Sequence, residues 1–149
     1  MPDFKKLLSK PVDSIHRPPE PPPGTYYGTV VGHKYKEAPW KNKVTGEPEP
    51  QVEFTIRITH WDADVDDEVA NAANAKGKLV YSAFSIDDGQ EWPLKMFLDA
   101  LGIVTPGQTL DATIPQTTNA SVMFTLAQRI DKKDPTREFR DVRSLRAAA

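Results

Sequence analysis

The sequence predicts a mainly β fold carrying one helix, and three observations support that prediction. Several runs alternate apolar and polar residues with period two, as in QVEFTIRITHW and ASVMFTLAQRI. A single run, EWPLKMFLDALGI, instead spaces its apolar residues at helical intervals. Proline and glycine gather between these runs, or sit inside the first strand where a bend is needed.

The elements follow in order. Phe4, Leu7 and Leu8 share one helical face among Lys5, Lys6 and Lys10, a segment too short to be stable alone. PVDSIHRPPEPPP follows, with five prolines in the six positions from Pro18 to Pro23. Proline fixes φ and lacks an N–H, so this stretch is expected to be an extended, semi-rigid spacer. Residues 1–23 thus read as an amphipathic arm and linker, residues 24–146 as the folded domain and residues 147–149 as a tail. Deleting the arm is expected to leave the melting temperature nearly unchanged.

TYYGTVVGHKYKE reads as the first strand. Strict alternation puts Tyr27, Thr29, Val31, His33 and Tyr35 on one side, with Tyr26, Gly28, Val30, Gly32 and Lys34 on the other. Two glycines four residues apart suggest a strand curled hard enough to serve two halves of a barrel. A loop, APWKNKVTGEPEP, precedes the second strand, whose Val52, Phe54, Ile56 and Ile58 point inward. An acidic connector spans residues 62–75, and KLVYSAFSI makes a third strand. The helix then places Leu94, Phe97, Leu98 and Leu101 on one face and ends at Gly102. Trp92 is expected to cap the end of the barrel beneath it. A polar, Thr/Pro-rich passage, a fourth strand and a fifth, EFRDVRSLR, complete the chain. Three strands, one helix and two strands, with a glycine-kinked first strand, is the order of a five-stranded OB-fold-like barrel with its helix between strands 3 and 4. A small open sheet with a helix against it has the same order.

Composition narrows the function. The 149 residues suffice for a real core, and 38% hydrophobic with 27% charged residues describes a soluble globular body. With no cysteine, disulfides and thiolate metal sites are excluded. The longest apolar runs are a few residues, and MPDFKKLLSK lacks the pattern of a signal peptide, so a cytoplasmic protein without a membrane span is expected. Asp62, Asp64 and Asp66 have the spacing that opens a calcium loop. Asp67 stands where glycine is needed and Ala73 where glutamate is needed, so a solvated acidic loop is the better reading. His16, His33 and His60 form no metal-binding pair, and no phosphate loop or activated nucleophile is present. Neither an enzyme nor a cofactor or metal is expected.

The net charge of −2 conceals a polarised distribution. Five acids and no base lie between Asp62 and Glu68, whereas Arg129 to Arg146 holds seven bases against four acids. Binding single-stranded nucleic acid without chemistry needs cations for phosphates and flat rings for bases. The candidates are Lys34, Tyr35 and Lys36 on the first strand, Trp40 followed by Lys41 and Lys43 in the next loop, Arg57 on strand two, Tyr81 on strand three, and Arg129 and Arg140 near the end. Phe54, Phe84, Phe97 and Phe124 read as core, and Tyr26 and Tyr27 as core or rim.

PPPGTYYGTVVGHKYKE, EWPLKMFLDALGI and EFRDVRSLR together resemble phage-encoded OB-fold single-stranded-DNA-binding proteins. The resemblance implies a protein that coats exposed strands during replication or recombination in the cytoplasm of an infected bacterium. Its groove would lie between strands one to three. Many such proteins end in an acidic tail that recruits partners; this chain ends SLRAAA and carries its acids internally. Residues 1–23 would serve self-association or a replication or recombination partner. The alternative is a virion structural or assembly protein that uses the same arm for subunit contacts.

Overall fold

The computed structural model describes residues 3–14, 20–41, 46–130, 132–133 and 138–148. Five strands form one antiparallel sheet: β1 (Gly24–Lys41), β2 (Pro48–Trp61), β3 (Leu79–Ser85), β4 (Ser121–Ile130) and β5 (Glu138–Ala147). Their spatial order is β3-β2-β1-β4-β5, so β3 and β5 are the edges and the sheet is open rather than a closed barrel. The helical content is small but exceeds the single helix expected. It comprises α1 (Phe4–Leu8), α2 (Asp67–Ala72), α3 (Trp92–Ala100) and α4 (Leu110–Thr113), with 3₁₀ turns at Val12–Ser14 and Ile114–Thr117.

Three irregularities break the register of β1 with β2, and the two inside the strand are single-residue bulges. Val30 pairs with Ile56 but Gly32 pairs with Thr55, leaving Val31 as an extra residue on β1. Tyr27 pairs with His60 but Gly28 pairs with Ile58, leaving Thr59 extra on β2. Each bulge bends its strand and increases the local twist. At Gly28 the two backbones approach so closely that a Cβ would lie 2.6 Å from the Arg57 carbonyl oxygen. Glycine is required there by contact, not by φ.

The bulge at Val31 also corrects the alternation expected of β1. Tyr26, Gly28 and Val30 face inward, but beyond the extra residue His33 and Tyr35 take over that side, pairing with inward Phe54 and Val52. Lys34 and Lys36 face outward, with Lys34 opposite Glu53. β1 continues through the expected loop to Lys41, which pairs with Pro48, so Trp40 belongs to a strand end.

The core lies on the inner face. Tyr26, Val30, Val52, Phe54, Ile56, Ile58, Val122, Phe124 and Leu126 are buried there under Leu94, Phe97 and Leu98 of α3. Phe97 stacks on Phe84 at 5.3 Å and meets Phe54 edge-on at 5.4 Å. Truncating a ring held this way costs about 3–5 kcal/mol. Pro93 at the start of α3 and Gly102 at φ 72° beyond its end sit where the sequence pattern places them. Trp92 does not cap the core: it is 64% exposed, with the Lys95 ammonium 5.4 Å above its ring.

The proline segment meets the body before β1 begins. The Pro21 carbonyl accepts a 2.7 Å hydrogen bond from Arg140 Nε, and the Pro22 carbonyl accepts one of 2.5 Å from the Tyr26 hydroxyl. Glu20 pairs with Lys78 at 3.7 Å. Glu20 to Pro22 therefore bridge from the approach to β3 across to β5, and Pro21 is buried. Lacking N–H groups, prolines cover an exposed edge without extending its ladder.

Candidate functional site

Two surfaces meet at β3. One is the outer face of the sheet, where register sets the neighbours. Arg57 lies opposite Leu79, and Thr55 lies opposite Tyr81 on one side and Gly32 on the other. Tyr81 is 53% exposed. Gly32 has open space where a Cβ would stand, so this row runs ring, hydroxyl, bare backbone. Arg57 is the diagonal neighbour of Tyr81, a separation of about 7–8 Å that long side chains span.

The other surface is a cleft of about 330 Å³ between the sheet edges. Val80, Leu126 and Val142 form its apolar lining, while Tyr81, Lys78 and Arg140 stand at its polar side. Glu20 and Pro21 close part of it. A cleft of this size with few polar groups is within the range of small-ligand sites. Register parity adds backbone donors. Ile58 N–H donates to the Lys78 carbonyl and Ile86 N–H to the Pro50 carbonyl, so the even-numbered residues of β3 bond to β2. The odd ones, Leu79 and Tyr81 among them, turn their N–H and C=O groups toward the edge.

Of the ten residues singled out from the sequence, the eight whose side chains are described do not share one surface. Tyr81 and Arg140 meet in the cleft, with Arg57 beside Tyr81 on the outer face. Lys34 and Lys36 share that outer face but converge on Glu53, Lys34 at 3.4 Å and Lys36 in closer contact. Partial burial works to raise the Glu53 carboxyl, but the Lys36 and Lys34 ammonium groups outweigh it and hold the group below its ordinary pKa. Tyr35 lies on the opposite face of β1, near α4. Trp40 is exposed and donates its indole N–H to Glu49 at 3.3 Å. Arg129 is tied to Asp141 at 3.0 Å. The Lys41 side chain and all of Lys43 lie outside the described residues.

Other residues join the outer face that the alternation alone did not bring out. Tyr27 and His60 stack with their ring centroids 4.5 Å apart and their planes within 2° of parallel. The row continues to Met123 and Arg146 on the next two strands. The Tyr27 hydroxyl donates to Asp62 at 3.0 Å, and that bond raises its pKa while Arg146 works to lower it. The ring of Tyr27 was legible as one residue out of phase with Tyr26; His60 reaches it only because of the bulge at Thr59. Lys78, at the head of KLVYSAFSI, was visible as a cation but not as a cleft residue.

The acidic connector is not simply a solvated loop. Asp64 accepts from the Thr25 N–H at 3.1 Å and the Thr25 hydroxyl at 2.8 Å, finishing the start of β1. Asp66 caps α2 through the Val69 N–H, and Asp67 holds the Trp61 indole N–H at 2.9 Å. Val65 and Ala70 anchor the segment in the core. Among the described residues no cluster of three or more histidine, aspartate or glutamate side chains is placed to hold a metal, and no helix is long and apolar enough to cross a membrane. No protein-family model matches the chain, and neither does any curated protein.

Proposed function

We propose that this chain binds single-stranded DNA without chemistry, on the outer face of β2 and β3 and in the cleft between β3 and β5. The observation that carries the reading is the placement of Tyr81. Its exposed ring lies on a row ending at bare Gly32, with Arg57 diagonal to it, Lys78 at the head of its own strand and Arg140 on β5 across the cleft. Rings take bases by stacking, worth about 1–3 kcal/mol each, and the cations track phosphates. In this reading the open sheet is an OB-type barrel cut between its third and fifth strands, with β3 and β5 as the lips of the gap and α3 following β3 in chain order. The resemblance of the sequence to phage single-strand binders supports reading this binding as a step of replication or recombination in a host bacterial cytoplasm. A second reading, a subunit of a virion or its assembly, is favoured by the uncovered apolar face of α1.

The test is a titration of labelled oligo-dT and of duplex DNA at two salt concentrations. The expected result is preference for the single strand and weaker binding at the higher salt. Tyr81→Ala should weaken oligo-dT binding by roughly tenfold, the loss of one stacked base. Absence of binding at low salt refutes the reading, and purified particles that contain the chain would then support the second.

A further inference from the structure

Two apolar surfaces in this chain are left without cover. Phe4, Leu7 and Leu8 lie on one face of α1 and are 65, 56 and 82% exposed. On the body, Leu110 forms the shared wall of two adjoining hollows of about 260 and 250 Å³. Tyr35, Ile86 and Ile114 line the first, and Leu98 and Val104 of the α3–α4 region line the second. The charges are complementary. α1 carries Lys5 and Lys6, with Lys10 two residues past its end, against the capping Asp3. The groove presents Glu91 and Asp111, while its own Lys95 is held by Asp99 at 2.8 Å.

We propose that α1 of one chain docks in the α3–α4 groove of a second copy, with its apolar face in the two hollows and its lysines over Glu91 and Asp111. A helix of five residues does not hold itself in water, so α1 needs a surface to persist. Phe4 and Leu8 are one turn apart, about 6 Å along the axis, which suits two hollows divided by a single side chain. Within one chain the α1 face is exposed, and so is the groove's rim of Tyr35, Val104 and Leu110 above a buried floor of Leu98 and Ile114. Reciprocal exchange covers both, once in each direction, and closes a two-fold dimer.

Sedimentation equilibrium of the full chain tests this. A concentration-dependent dimer is expected. Leu8→Asp on the arm and Val104→Asp in the groove should each weaken it roughly tenfold or more, the loss of one buried apolar side chain. Far-ultraviolet circular dichroism and the melting temperature check that both variants fold. Chains carrying Lys5→Glu and Lys6→Glu should not self-associate, yet should pair with chains carrying Glu91→Lys and Asp111→Lys. A monomer at all concentrations overturns the proposal. So does a dimer indifferent to either aspartate variant, or a monomer that instead co-sediments with anionic vesicles through α1.

Discussion

Gly28 and Gly32 lie on the same strand yet have opposite surroundings, and replacing each by alanine separates a fold requirement from a site requirement. At Gly28 the new Cβ would stand 2.6 Å from the Arg57 carbonyl oxygen and 2.7 Å from Ile56 Cγ2. The first neighbour is backbone in the middle of β2, paired on both sides, so it cannot yield by a rotamer change. Overpacking of this kind costs about 1–3 kcal/mol, offset by up to about 1 kcal/mol from the smaller entropy of the unfolded alanine chain. Taken at the middle of these ranges, the net loss for Gly28→Ala is about 1–2 kcal/mol, or a fall of roughly 2–8 °C in melting temperature for a chain of this size. At Gly32 nothing lies within 4 Å of the added atom, so Gly32→Ala should be neutral or slightly stabilising. Urea unfolding followed by tryptophan fluorescence reads both, with unchanged m showing that the native and denatured states are comparable. Oligo-dT titration of Gly32→Ala then asks whether the bare backbone in the Tyr81 row matters, and weakened binding at unchanged stability is expected. Equal midpoints for Gly28→Ala and the native chain would refute the account of the bulged, closely approaching strands.

Glu53→Gln releases Lys34 and Lys36 from their shared carboxylate. Oligo-dT binding should tighten, and its log–log salt slope should steepen by about 0.7 for each lysine that gains a phosphate. Tyr26 bears on alkaline stability: burial outweighs the nearby Arg140 and pushes its pKa up to about 12. The raised value means that its contribution is complete below the ordinary tyrosine pKa of 10.0 and is lost as pH rises toward 12. Tyr26→Phe should therefore flatten stability across that window, read by denaturant unfolding at successive pH, at a cost near neutrality of about 1 kcal/mol for the lost bond to Pro22. At concentrations where the chain is monomeric, truncation before Glu20 should leave the melting temperature unchanged, whereas removing Glu20 to Pro23 as well should lower it, since Arg140, Lys78 and Tyr26 lose their partners there.

What the sequence made legible follows from which forces are periodic. The inward residues of β2 and the buried face of α3 were readable because burial repeats every second or every 3.6 residues, and Val52 to Ile58 and Leu94, Phe97 and Leu98 obey those periods. Val31 and Thr59 do not announce themselves, because a bulge is a relation between two strands and neither strand carries it alone. The extra residue at Val31 moved Tyr35 to the inward side of Tyr26 and Val30 and put Lys34 and Lys36 on the outward side of Tyr27, and it was Thr59 that turned His60 out against Tyr27. α2, α4 and the 3₁₀ turn at Ile114 escaped notice for a different reason: they are one or two turns long, too short to display a period, and are held by Ala70 and Ile114 in the core.

The fate of the charges has the same root. Lysines and aspartates were counted along the chain, but a charge acts through what it meets across the sheet. Glu53 lies 17 and 19 residues from the lysines it binds, and Asp64 lies 39 from Thr25, so neither pairing is local. Cross-strand pairing thus spends Lys34 and Lys36 on the protein itself, while Arg57, whose β3 neighbour is apolar Leu79, keeps its charge on the open face. On this argument the cation that matters most to a phosphate is not the one in the most basic stretch of sequence. It is the one whose neighbours across the ladder carry no acid, and Arg57→Ala should therefore weaken oligo-dT binding more than Lys36→Ala in the same titration.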